Sequence, residues 1–153
     1  MTGLMRSRQH LVGKEMTPVT VQITLEEVKA FLAVIRRYIS DVEVDSADAE
    51  IPDVYLPVTA LLANRFVNMA DLLGADWWAD TIMLGDQEYE IGTRIKTGQA
   101  YRLSARVVDV MTRQGARRAF DIVAVETLLR DTHTDEIALR CTHRFLVMAK
   151  DPA

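Results

Sequence analysis

Residues 57–73 restrict the folds open to this chain more than any other stretch. Val58, Leu61, Leu62, Phe66, Val67, Met69, Ala70, Leu72 and Leu73 cover most of a helical circumference. Asn64, Asn68 and Asp71, at i, i+4 and i+7, are left as a narrow polar stripe. Pro57 suits the first turn of such a helix and Gly74 suits a left-handed stop. A helix that is apolar nearly all round is a buried one, so the rest of the chain must wrap it.

The wrapping material is β. Residues 82–91, 100–111, 118–130 and 137–149 are runs of strand length, rich in Val, Ile, Thr, Tyr and Phe. Lys96-Thr97-Gly98, Arg113-Gln114-Gly115 and residues 131–135 separate them as turn signals. Connections this short join antiparallel neighbours, so a four-strand meander is expected. Upstream, residues 14–23 read as a short strand or extended arm, and Pro18 confines it to an edge. Thr24-Leu25-Glu26-Glu27 is a capping box. It opens an amphipathic helix with Leu25, Val28, Phe31, Leu32, Ile35, Tyr38 and Ile39 on one side, ending near Ser40. The fold class is therefore α+β: a single hot-dog, an antiparallel sheet wrapped around a long buried helix. One such sheet covers one side of the helix, and dimerisation is the expected way to hide the other.

Composition narrows the partners. The chain has 153 residues, which suits one domain over 11–150 behind a flexible leader over 1–10. Its net charge of −4 argues against nucleic acid, which needs a basic footprint. No apolar run approaches the ~20 residues of a membrane span. Arg6 and Arg8 have no apolar stretch after them, so the leader is no secretory signal, and a cytoplasmic location is expected. The lone Cys141 forms no internal disulfide, and no cluster has zinc-ligand spacing. The acidic connection over 41–56 reads as a solvated loop, without calcium-loop spacing. Trp77 and Trp78 read as a packing plug. No metal and no cofactor is expected.

Several short segments resemble the N-terminal half of MaoC-type dehydratases. They are Leu11-Val12-Gly13-Lys14, Gly85-Asp86-Gln87-Glu88-Tyr89-Glu90, Arg94-Ile95-Lys96-Thr97-Gly98-Gln99 and Arg106-Val107-Val108-Asp109-Val110. The resemblance spans about residues 11–149. It implies a hot-dog protein acting on 2-enoyl or 3-hydroxyacyl thioesters of CoA or acyl carrier protein. It also implies, for a chain of this length, the separate accessory subunit of a (3R)-hydroxyacyl-thioester dehydratase. Catalytic members carry an Asp and a His in a Gly-Asp-x-Asn-Pro-x-His-like segment after the first helix. Here that region reads Arg36-Arg37-Tyr38-Ile39-Ser40-Asp41-Val42-Glu43. The histidine that accessory halves often place before the Gly-x-Gln-Glu glycine is Leu84 here.

Hydration of an enoyl thioester needs a base for water, an acid for C2, and an N–H donor for the thioester oxygen. The N-terminus of the second helix, residues 58–60, offers such donors. The acid/base pair is missing, and no histidine stands between His10 and His133. Asp41, Asp45 and Asp53 read as loop carboxylates, His133 as a solvent-exposed turn residue, and His143 as a sheet histidine alternating with Cys141 and Phe145. No catalytic residue is assigned. Charge is segregated: residues 41–90 hold twelve acids against Arg65, and residues 94–118 hold seven bases against Asp109. Two readings are open: a basic rim for the phosphates of CoA or of a carrier protein, with Arg94, Lys96, Arg117 and Arg118 as its candidates, or simply the outer faces and turns of strands. Asn64, Asn68 and Asp71 are candidates for lining an acyl tunnel or meeting a partner subunit, the other reading being that they cap sheet or loop backbone.

The expected function is thus an accessory hot-dog subunit that shapes the tunnel while a catalytic MaoC-type subunit supplies the Asp/His pair. The alternatives are a self-sufficient homodimeric hydratase, a thioesterase using Asp71, or a non-enzymatic acyl-thioester binding module.

Overall fold

The computed structural model describes residues 8–35, 69–74 and 81–148. Its centre is a five-stranded sheet made of β1 (Val19–Gln22), β2 (Thr81–Ile91), β3 (Ala100–Gln114), β4 (Ala119–Asp131) and β5 (Ile137–Met148). The spatial order is β1-β3-β4-β5-β2, and every neighbouring pair is antiparallel.

Three strands follow the expected meander and one does not. β3, β4 and β5 are consecutive neighbours joined by tight turns, but β2 pairs with β5 on the far side of the sheet instead of with β3. The eight residues of 92–99 make this possible. Extended, they reach ~26 Å at ~3.3 Å per residue, whereas crossing three strand spacings of ~4.8 Å takes ~14 Å. The path is held at both ends. Gly92 N–H donates to the Ala138 carbonyl at 2.9 Å and Thr93 N–H to that of Ile137 at 3.1 Å, both beside β5. Gly98 N–H then donates to the Ile23 carbonyl at 2.9 Å, just past β1. Ile95 and Thr97 are buried beneath the crossing. Gly92 permits the close start, because a Cβ there would collide with the Ile137 carbonyl oxygen. Length alone therefore did not make the connection a hairpin.

The arm before β1 is a backbone-paired ribbon. Gly13 N–H donates to Val107, Val107 N–H to Lys14 and Met16 N–H to Ala105, at 2.8, 2.9 and 3.0 Å. Pro18 interrupts it, so the strand expected over 14–23 becomes a bridge at Glu15 followed by the short β1 at the sheet edge. Arg8–Leu11 forms a 3₁₀ turn that buries Leu11. Residues 8–10, expected in the leader, thus lie in that turn, and Arg8 pairs with the buried Asp121 at 3.1 Å.

The capping box forms as its chemistry requires. Glu27 N–H donates to Thr24 Oγ1 at 3.2 Å, and Thr24 N–H donates to the Glu27 carboxylate at 2.9 Å. It opens α1 (Leu25–Ile35), whose Val28 and Leu32 are buried. The expected end near Ser40 lies outside the described residues, as do Asp41, Asp45, Asp53, Trp77 and Trp78. Of the second helix expected over 57–73, residues 57–68 lie outside the described residues, and Met69–Leu73 form the short helix α2, followed by Gly74 at φ 95°. Leu72 is fully buried there, while Ala70 and Asp71 are exposed.

One face of the sheet carries the core. Tyr101, Leu103, Ala105, Val107 and Val110 on β3, Val123, Val125 and Leu129 on β4, and Leu139, Cys141, Phe145 and Val147 on β5 join Val28, Leu32 and Leu72 in a single apolar cluster. An antiparallel sheet packed on one face against helical residues is the hot-dog arrangement.

Candidate functional site

The two faces of the sheet hold different chemistry. On the inner face His143 is fully buried, with Phe145 stacked beside it at a centroid distance of 6.0 Å and Nε2 3.5 Å from Cys141 Sγ. Strand alternation puts these three on one side. Burial holds the His143 pKa below its usual value, so the ring is neutral at physiological pH. Burial also pushes the Cys141 thiol up to about 11, which keeps it from serving as a thiolate nucleophile. Cys141 lies opposite Thr127, whose buried hydroxyl has no hydrogen-bond partner among the described residues. Neither His143 nor Cys141 meets water, so neither is placed to activate it. His143 is the sheet histidine the alternation predicts.

The outer face is ionic. Glu126, only 8 % exposed, receives Arg106 from β3 at 3.0 Å and Arg140 from β5 at 2.8 Å. Arg140 also approaches Glu90 at 3.9 Å. Arg144 binds Asp86 at 2.9 Å and Glu88 at 3.4 Å, contacts that raise its pKa further. An open cavity of about 380 Å³ lies on this face under the arm, lined by Met16, Pro18, Arg106, Glu126, Arg130 and Arg140. Its arginines are engaged: Arg106 and Arg140 on Glu126, and Arg130 on the Asp135 carbonyl at 3.0 Å.

The residues singled out from the sequence are spread over the molecule. Arg94 and Lys96 are exposed on the crossing at one end of the sheet. Arg117 and Arg118 are exposed in the β3–β4 turn, where Gly115 N–H closes onto the Arg118 carbonyl at 2.9 Å. The fifteen residues of β3 separate the two groups, so the structure does not assemble them into one rim. Two other bases of that stretch are in ion pairs, Arg102 with Asp135 at 2.7 Å and Arg106 with Glu126. Asp71 is exposed on α2, and Asn64 and Asn68 lie outside the described residues. His133 sits in the β4–β5 turn with its side chain 82 % exposed. Its N–H and that of Thr134 donate to Asp131 and hold that carboxylate's pKa below the usual range.

Sequence reading missed the Glu126 clasp and the acidic row of β2. The second had a visible signal: Asp86, Glu88 and Glu90 recur with the two-residue period of a strand face. The first had none, because its three residues lie on three different strands. Among the described residues, no helix is long and apolar enough to cross a membrane.

The family model described as "FAS1-like, dehydratase domain region" matches residues 10–140. No curated protein matches the chain by sequence. Solved structures do. The chain is similar to the ChsH1-ChsH2 complex from Mycobacterium tuberculosis, with a TM-score of 0.61 at 11% identity over 95% of this chain and 89% of that one. It is similar to the C-terminally truncated HadBC (3R-hydroxyacyl-ACP dehydratase) complex of the same organism, at 0.58 and 16% over 92% and 98%. It is also similar to R-hydratase PhaJ1 from Pseudomonas aeruginosa, at 0.53 and 13% over 93% and 87%. At these identities the likeness is one of fold.

Proposed function

The chain belongs to the FAS1-like dehydratase-region family, and from that premise we propose that it is the accessory subunit of a heteromeric 2-enoyl-thioester hydratase or (3R)-3-hydroxyacyl-thioester dehydratase. Its role is to shape the acyl-binding tunnel. A catalytic hot-dog subunit supplies the Asp/His pair that moves protons to and from water and C2.

The observation that carries this reading is the placement of the histidines. The whole sequence holds three. His10 is exposed on the 3₁₀ turn, His133 is exposed in a hairpin turn, and His143 is sealed neutral inside the sheet. Among the described residues, none of the three lines the cavity under the arm, whereas the family is that of a dehydratase region. Two similar structures, ChsH1-ChsH2 and HadBC, are complexes, which supports assembly with a second hot-dog chain. The thioester would reach the protein on CoA or on a carrier protein. Either exposed basic pair, Arg94 with Lys96 or Arg117 with Arg118, offers its phosphates a cationic contact. Asn64, Asn68 and Asp71 are the proposed tunnel residues.

The test is hydration of crotonyl-CoA and of a longer 2-enoyl-CoA, followed by loss of enoyl absorbance. The purified chain is assayed alone and with a hot-dog partner that carries the Asp/His segment. Turnover only with the partner is expected, and turnover by the chain alone overturns the reading. Exposure of Asp71 favours one alternative, a homodimeric thioesterase in which a second copy covers that carboxylate. Thioester hydrolysis by the chain alone, lost in Asp71→Asn, would establish it.

A further inference from the structure

The cavity under the arm is lined by more positive charge than negative. Among the described residues, Arg106, Arg130 and Arg140 face it against Glu15 and Glu126. Strand register arranges them. On β4, Glu126, Leu128 and Arg130 alternate onto one face. They lie opposite Arg106, Ser104 and Arg102 of β3, and Leu128 lies opposite Arg140 of β5. Leu128 is thus an apolar floor, with Ser104 to one side, Arg140 to the other, and Glu126 and Arg130 before and after it. Pro18 of the arm adds a second apolar wall.

The three arginines are not equal. Glu126 fixes Arg106 and Arg140 through charge-assisted bonds of 3.0 and 2.8 Å. Arg130 has no carboxylate partner among the described residues. Its Nη1 donates to the Asp135 carbonyl at 3.0 Å. That leaves Nε and Nη2, the edge of a guanidinium that takes a carboxylate side-on. The carboxylate of Asp135 goes instead to Arg102 at 2.7 Å, and Arg102 lies directly opposite Arg130. Like charges placed opposite each other in a sheet are destabilising. Arg130 therefore carries a cost that no acid among the described residues offsets, and it does so at the wall of a cavity.

We propose that this cavity binds a small organic monocarboxylate, its head on Arg130 with the Ser104 hydroxyl and Arg140 beside it, and its apolar body against Leu128 and Pro18. Charge selects the head. Three arginines against two glutamates leave one positive charge, which one carboxylate balances, whereas a phosphate monoester at about −1.5 to −2 overshoots it. Size fits as well: about 380 Å³ lies within the roughly 300–1,000 Å³ of small-molecule sites. Glu126 holds two of the arginines in place beforehand, so binding has little left to order. The site is on the outer face, across the sheet from α1 and α2, and it does not rest on the accessory reading.

The test is titration of the isotope-labelled full-length chain with hexanoate, followed by amide chemical shifts. The expected result is a saturable one-site response centred on Ser104, Leu128 and Arg130, with a dissociation constant of about 1 mM or tighter. Arg130→Gln is expected to weaken it about tenfold or more, through loss of the charge-assisted pair. Arg144→Gln, on the same face but outside the cavity, is expected to change it by less than about twofold. A ligand series makes the same point on the unaltered chain, should Arg130→Gln disturb the β4–β5 turn. Hexanol is expected to lose the response for want of charge, acetate to weaken it for want of an apolar body, and inorganic phosphate to compete poorly. The proposal is overturned by the absence of a saturable response, or by one centred on the inner face around Val125 and His143. It is equally overturned if Arg130→Gln binds as wild type does, or if hexanol, acetate or phosphate binds as tightly as hexanoate. Failure of the hydration assay leaves the site standing.

Discussion

The inner and outer faces of β3, β4 and β5 are made from the same three strands by alternation, shifted at the irregularities between Val107 and Asp109 and between Leu129 and Arg130, yet they contribute to the molecule in different ways. The inner face is dry: Leu103, Val123, Val125 and His143 are at or near zero exposure. The outer face is a lattice of opposite charges, Arg106 to Glu126 to Arg140 and Arg144 to Asp86 and Glu88, most of it half in water. Burial of apolar area scales with each methylene removed from water. Exposed ion pairs contribute little to stability, because solvent and salt screen them and the side chains must be held still. The inner face thus holds the fold together, and the outer face sets which surfaces it will accept.

Substitutions can break that contrast, and the largest effect belongs inside. Leu103→Ala is expected to lower the unfolding free energy by ~2–5 kcal/mol in a denaturant titration, through lost burial and the cavity left behind. A cost below ~1 kcal/mol would show that the inner face is loosely packed.

Next comes the pH dependence of His143. Its folded pKa is depressed by burial, so between that value and the ordinary ~6.5 the unfolded chain binds the extra proton. Stability is therefore full above ~6.5 and falls as the pH drops through that window, by at most ~1.4 kcal/mol per unit for one group. His143→Leu is expected to remove this part of the slope in melts run across the window. An unchanged slope would assign it to other groups.

Glu126→Gln leaves the shape of the clasp but weakens two charge-assisted bonds. Arg106 and Arg140 have side chains 53 % and 39 % exposed, so screening limits the expected loss to ~1 kcal/mol, shrinking in high salt. Smaller still is Thr127→Val, close in shape and free of the unpartnered hydroxyl. It is expected to leave stability unchanged or raise it by up to ~1 kcal/mol, the reverse sign from Leu103→Ala on the same face. Destabilisation by Thr127→Val would mean that the hydroxyl has a partner in solution.

Much of this was readable along the chain because it depends on near neighbours. The capping box at Thr24 needs only residues three apart, and it formed as written. The stop at Gly74 needs only one residue able to take positive φ, and Gly74 takes it. The strands expected over 100–111 and 118–130 run as Ala100–Gln114 and Ala119–Asp131, because Val, Ile and Thr with two-residue alternation specify a half-buried ribbon whatever lies beside it. That His143 is a sheet histidine followed from its alternation with Cys141 and Phe145, and the structure adds that it is buried.

What the linear order hid was adjacency across the sheet. The crossing over 92–99 looked like a hairpin because its length and Lys96-Thr97-Gly98 suit one, yet its N–H groups bond to β5 and to the residue after β1. The basic stretch over 94–118 looked like one rim because its members are close in sequence. A fifteen-residue strand carries its two ends to opposite ends of the sheet, and Arg102 and Arg106 are drawn into pairs with acids supplied by other elements.

The amino-acid sequence by itself determined the α+β class, the elements and which side of each strand is apolar. Those depend on backbone stereochemistry and on a period of two or 3.6 residues, both written locally. Only the tertiary structure decided that β2 lies beside β5 and that Glu126 is clasped by two strands. Pairing order is a contest among whole strands for one another's backbone groups and one another's apolar faces, and no single stretch of sequence contains both contestants.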